Sequence, residues 1–119
     1  MLSYLAVFIG GGIGSLLRWR ISAWVPSTSG FPWGTFVANL LASAVLAIAA
    51  IYFAKRIESP TPQSLLILTG FCGGFSTFST FSLETFRMLD AGKWPIALIY
   101  VFGSVLACLL AMWVVHKAL

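Results

Sequence analysis

The residues with the most chemistry in them form one run, 70–84, Gly-Phe-Cys-Gly-Gly-Phe-Ser-Thr-Phe-Ser-Thr-Phe-Ser-Leu-Glu. Gly73 and Gly74 weaken a helix, and nearby hydroxyls can satisfy the backbone groups so freed. Inside a membrane, a broken helix exposes carbonyls that can hold a small cation and amides that can face an anion. The same small and hydroxyl residues equally let helices pack closely. Phe78 and Phe81 are three apart and share a helix face. A ring edge is electropositive and can face a small anion without offering a full charge. Conduction needs moderate affinity, which a Lys or Arg in a pore would exceed. Phenylalanine pairs also serve ordinary packing.

Other polar residues stand at helical spacing in apolar surroundings. Asn39 follows Thr35 by four, so the two stack on one face, and a buried amide there either donates to a passing anion or bonds another helix. Tyr100, Ser104 and Cys108 recur every four residues as a stripe of donors, which can also act as interhelical glue. Glu84 is the only acidic residue placed near a membrane segment. It belongs either to a pore's hydrogen-bond network or to an interfacial helix end, paired with Arg87. His116 beside Lys117 reads as a solvated boundary residue. No Ser-His-Asp set, HExxH, P-loop or metal-ligand cluster is present, so an enzyme has no chemical support.

The elements that position these residues follow from composition. The 119 residues are 60% hydrophobic and only 8% charged, with mean hydropathy +0.98. An ordinary soluble domain is about 25% charged. Seven Lys+Arg and three Asp+Glu cannot coat a water-facing surface of this size, so lipid is the expected solvent. A spanning helix needs about 20 mostly apolar residues, and the chain offers four such stretches, near 2–17, 31–54, 64–83 and 94–115. They leave no room for a soluble domain, which makes residues 1–119 a single membrane unit.

The N-terminus has no Lys or Arg before Arg18, so residue 2 onward reads as a first span rather than a signal peptide. Arg18 and Arg20 can snorkel toward headgroups, and Lys55, Arg56 and Glu58 end the second span. Gly10-x-x-x-Gly14 allows close approach of another helix. Prolines and small residues across 26–32, and Pro60 with Pro62, mark loops. Trp94 and Trp113 read as interfacial belt residues. Cys72 and Cys108 lie inside apolar stretches and suggest neither a disulfide nor a metal site. The basic residues are dispersed, with no run of five that would suit nucleic acid.

With four spans, Lys55, Arg56 and Lys117 fall on one side and Arg18, Arg20, Arg87 and Lys93 on the other. The bias that normally sets orientation is nearly absent. A near-even count suits a protein that inserts both ways and pairs antiparallel.

The sequence resembles the Fluc (CrcB-type) fluoride channels over its whole length. The motifs are Gly10-Gly-Gly-Ile-Gly-Ser-Leu-Leu-Arg18, Gly34-Thr-Phe-Val-Ala-Asn39 and Gly70-Phe-Cys-Gly-Gly-Phe-Ser-Thr-Phe-Ser-Thr-Phe81, in this order on segments one, two and three. The resemblance implies an all-α integral membrane protein, with four transmembrane helices per subunit, the third broken, in an antiparallel dual-topology homodimer. It implies passive fluoride conduction through two pores, exclusion of chloride, lower cytoplasmic fluoride, and a multi-pass place in a bacterial plasma (inner) membrane. It also implies a structural sodium ion at the dimer axis, held by backbone carbonyls of Gly73 and Ser76 from both subunits. The family more often has Thr where Ser76 stands. The pore phenylalanines correspond to Phe78 and Phe81, the pore asparagine to Asn39, and the polar track to Tyr100, Ser104 and Cys108. Cys108 stands where the family often has Ser. Glu84 and Arg18 also match family positions.

A small dual-topology, proton-coupled exporter of guanidinium or organic cations has similar length and span count. That class needs a carboxylate inside its first helix, and residues 2–17 contain none. A noncatalytic assembly subunit would leave polar residues on three helices unexplained.

Overall fold

The computed structural model describes residues 1–55 and 59–119, so Arg56 and Glu58 of the expected interfacial end lie outside the described residues. The fold is all-helical. Helix α1 is Leu2–Trp24, α2 is Trp33–Ala54, and α3 covers residues 62–75. Helix α4 is Phe78–Asp90 and α5 is Trp94–Ala118. Among the described residues, four spans are long and apolar enough to cross a membrane, with Pro62–Asp90 as the third. At 1.5 Å per residue, the 23 residues of α1 reach ~35 Å, enough for a hydrocarbon core of about 30 Å. Large apolar side chains cover the outside; Phe8, Leu16, Phe102, Leu106 and Leu110 are all more than half exposed.

Two ends differ from the expected bounds. α1 continues past residue 17 to Trp24, so Arg18 lies inside the helix, and the third span continues past 83 to Asp90. Leu83, Phe86 and Leu89 recur at helical spacing on that extension and stay exposed. Asp90 therefore joins Glu84 as an acidic residue of a span, correcting the expectation that Glu84 stands alone. Arg20 remains at the surface, its guanidinium 4.9 Å above the Trp24 ring.

The helices are joined by chemistry legible in the loops. Ser29 (φ 55°) and Gly30 (φ 81°) are the two central residues of a tight turn closed by Phe31 N–H to Thr28 O at 2.9 Å. Positive φ at both positions is the I′ pattern, easy for Gly30 and costly for Ser29. Thr61 caps α3: its hydroxyl accepts from Ser64 N–H while the Ser64 hydroxyl accepts from Thr61 N–H, with Pro62 next in line. Helix α3 is then wound as a π-helix over Leu65–Cys72 before returning to α-helix at Gly73–Phe75.

Helices α1 and α3 touch backbone to backbone. A Cβ on Gly10 would overlap Leu66 O, one on Gly14 would overlap Phe71 O, and one on Gly74 would overlap Gly11 O. The expected Gly10-x-x-x-Gly14 approach is present, and its counterpart is Gly70-x-x-x-Gly74 on α3. Gly74 thus serves packing. Gly73 has helical angles (φ −64°, ψ −37°), and the space beside its α-carbon is open. The third span does break, but at Ser76 (ψ 158°) and Thr77 (φ −149°, ψ 121°), two residues after the glycines expected to weaken it. Side chains from two other helices take over the backbone groups there.

Two cores complete the packing. Ile21, Ala38, Ala42 and Phe75 join α1, α2 and α3; Met88, Ala97 and Tyr100 join α4 and α5, with Phe31, Phe36 and Phe81 against them.

Candidate functional site

The break is clamped from both sides. From α2, Asn39 Nδ2 donates to Thr77 O (3.2 Å), and Thr77 N–H donates to Asn39 Oδ1 (2.8 Å). From α1, Arg18 Nε donates to Gly74 O (3.0 Å). Arg18 was expected to snorkel to the headgroups; instead it is half-buried and satisfies a carbonyl in the last turn before the break. Its place six residues inside α1 is what brings it there. Of the two alternatives for Asn39, the interhelical hydrogen bond is present, and one amide hydrogen remains beyond it.

These diversions leave carbonyls without their helical donors. An unbroken helix would send Thr77 N–H to Gly73 O and Thr80 N–H to Ser76 O. Thr77 N–H instead meets Asn39, and Thr80 N–H meets the Thr77 hydroxyl at 3.1 Å, the N-cap of α4. The Ser76 hydroxyl turns back to Cys72 O (2.9 Å), so its own carbonyl is the group left at the break.

Beside the break, α2, α4 and α5 enclose a groove of about 360 Å³. Asn39, Ser76, Phe78, Phe81, Ser104 and Cys108 line it, so five of the eight expected pore residues meet there. Ser43, Thr77 and Met112 join them. Ser43 was missed, although it continues the Thr35, Asn39 spacing by one more turn. Among the described residues the groove lining carries no charged side chain. Phe78 and Phe81 have ring centroids 5.9 Å apart at 35°; Phe78 is 80% exposed, whereas Phe81 is half-buried. Among the described residues the buried Ser104 hydroxyl has no hydrogen-bond partner. An unpaired buried hydroxyl costs about 1–3 kcal/mol, so it is kept against a penalty.

The other three residues cluster one turn away. The buried Tyr100 hydroxyl donates to Glu84 Oε1 (3.1 Å), and the buried Thr35 side chain lies beside the same phenol. Glu84 sits mid-helix in α4, and its partner is Tyr100 rather than Arg87. The Phe81 ring, 4.9 Å from the Tyr100 ring, links this cluster to the groove. The expected residues therefore fall in two adjoining sets that make one column, Glu84 and Thr35 at Tyr100, and Asn39, Phe78, Phe81, Ser104 and Cys108 along the groove, with the Phe81–Tyr100 ring contact between them. Such a column offers weak donors and ring edges in apolar walls, the chemistry for passing a small anion.

Residues 5–116 match the family model described as CrcB-like protein, Camphor Resistance (CrcB). A Serratia proteamaculans protein named fluoride-specific ion channel FluC is 45% identical over 118 residues, 95% of this chain and 93% of that protein. A Methanococcus aeolicus protein of the same name is 40% identical over 114 residues, 96% and 92% of the two chains. One from Bacillus licheniformis, named fluoride-specific ion channel FluC 2, is 45% identical over 108 residues, 91% and 79%. These proteins are channels rather than enzymes, and with four spans the chain is a multi-pass membrane protein. By that match and those identities, the chain belongs to the CrcB family.

Proposed function

We propose that the chain is a fluoride-selective channel that lets fluoride leave a bacterial cell passively across its inner membrane. The observation that carries this reading is the groove, walled by rings and uncharged donors, with the Ser104 hydroxyl unpaired at its side. An anion passing Tyr100, whose own proton is held by Glu84, exchanges water for the hydroxyl of Ser104 and the free amide hydrogen of Asn39. Ring edges of Phe78 and Phe81 face it between those donors. Without a fixed cation in the lining, binding stays weak enough for release. Fluoride is the smallest halide and the strongest hydrogen-bond acceptor among them. It gains most from compact hydroxyl donors, while larger chloride needs more room between the rings.

The functional unit in this proposal is an antiparallel homodimer in which residues 1–119 form one channel domain per subunit. In such a dimer Phe78, 80% exposed on one protomer, would close the groove of the other. Carbonyls of Gly73 and Ser76 from both subunits would hold a sodium ion at the axis. The fit is good: both carbonyls have lost their helical donors, the face beside Gly73 is open, and unwound backbone in a membrane suits a small hard cation. A bound ion supplies fixed positive charge and ties the two breaks together. Ser76 in place of Thr does not alter a backbone ligand.

The test is fluoride efflux from proteoliposomes. Fast, valinomycin-dependent fluoride loss with little chloride loss is expected. Proton-coupled uptake of a guanidinium or other organic cation, with the fluoride gradient intact, would overturn the reading.

A further inference from the structure

At one end of the bundle, the α1–α2 turn, α4 and the α4–α5 connection enclose a cleft of about 310 Å³. Ser27, Pro32, Glu84, Arg87, Met88 and Lys93 line it. The Lys93 ammonium folds over the turn, with Nζ 3.9 Å from where a Cβ on Gly30 would stand. Glu84 joins this cleft to the column, because its carboxylate accepts the Tyr100 hydroxyl. Tyr100 in turn heads the α5 stripe, with Ser104 about 6 Å and Cys108 about 12 Å farther along the helix axis. Cleft and groove therefore lie on opposite sides of the packed Phe81–Tyr100 pair.

We infer that this cleft is the water-facing mouth of the anion path, and that Arg87 and Lys93 are positioning residues that concentrate anions there. The inference rests on the channel reading above. Two cations and one carboxylate line the cleft, so its lining carries a net charge of +1, and the carboxylate is oriented toward Tyr100. A concave surface of one sign raises the local concentration of the opposite ion. The charges stand where the ion is still hydrated and the attraction is screened, and the groove beyond holds neutral donors only. Full charges at the mouth speed entry without creating the trap they would form inside the path.

The experiment compares wild-type protein with R87Q/K93Q and with the charge-keeping R87K/K93R. Vesicles are loaded with about 10 mM potassium fluoride, either without further salt or with about 0.3 M potassium gluconate on both sides, the Debye length falling from ~30 Å to ~6 Å. Without added salt, initial efflux through R87Q/K93Q is expected to be about threefold slower than wild type, and R87K/K93R to match wild type. With gluconate the three rates are expected to converge. Equal rates without salt, or the same deficit at both ionic strengths, would overturn the assignment, the second marking a merely structural effect. Wild-type vesicles that retain fluoride would instead overturn the channel reading itself, a distinct result.

Discussion

Replacing Asn39 with leucine tests how the break is held. The two side chains are nearly isosteric, so packing changes little. The substitution removes both hydrogen bonds to Thr77, at 3.2 and 2.8 Å, and leaves the Thr77 N–H without a partner, while Thr77 O keeps the first intrahelical bond of α4 as its N-cap carbonyl. Interhelical hydrogen bonds in membranes contribute roughly 0.6–2 kcal/mol each, so the pair is worth about 1–4 kcal/mol. A value of about 2 kcal/mol is reasonable, because no helical carbonyl takes over the Thr77 N–H, and it corresponds to about 30-fold in an equilibrium. Hydrogen exchange at the Thr77 amide in purified protein should therefore lose about 30-fold of its protection, with little change in the middle of α5. Asn39→Asp keeps the acceptor for Thr77 N–H and should lose less. Wild-type protection at Thr77 in Asn39→Leu would show that something other than Asn39 holds the break, and the reasoning would fail.

Ser104→Ala should leave thermal stability unchanged or raise it by up to about 1 kcal/mol, because it removes an unpaired buried hydroxyl, while fluoride efflux falls about tenfold or more. A loss of stability with normal efflux would mean that the hydroxyl is structural. Gly74→Ala and Gly14→Ala place a methyl against a backbone oxygen and should cost about 1–3 kcal/mol or more; Gly73→Ala meets open space within its own protomer and should keep wild-type helical content, as read by circular dichroism of the detergent-solubilised protein. Phe78→Ile and Phe81→Ile should slow fluoride efflux about two- to tenfold, the range for an interaction of roughly 0.5–1.5 kcal/mol. Unchanged efflux in both would remove the rings from the mechanism.

Composition alone determined the all-helical membrane class. A chain that is 8% charged cannot solvate itself in water, and four apolar stretches near 20 residues have few other fates. Spacing determined the candidate residues, because side chains three or four apart share a face wherever the helix sits. Thr35 with Asn39, and Tyr100 with Ser104 and Cys108, needed no tertiary knowledge for that. Which faces meet depends on contacts between distant segments. Only the tertiary structure shows Gly74 packed on Gly11, Arg18 reaching Gly74 O instead of the headgroups, and the break displaced to Ser76 and Thr77. A helix ends where other groups can satisfy its backbone, and the groups that do so here belong to α1 and α2, 56 and 38 residues away in sequence.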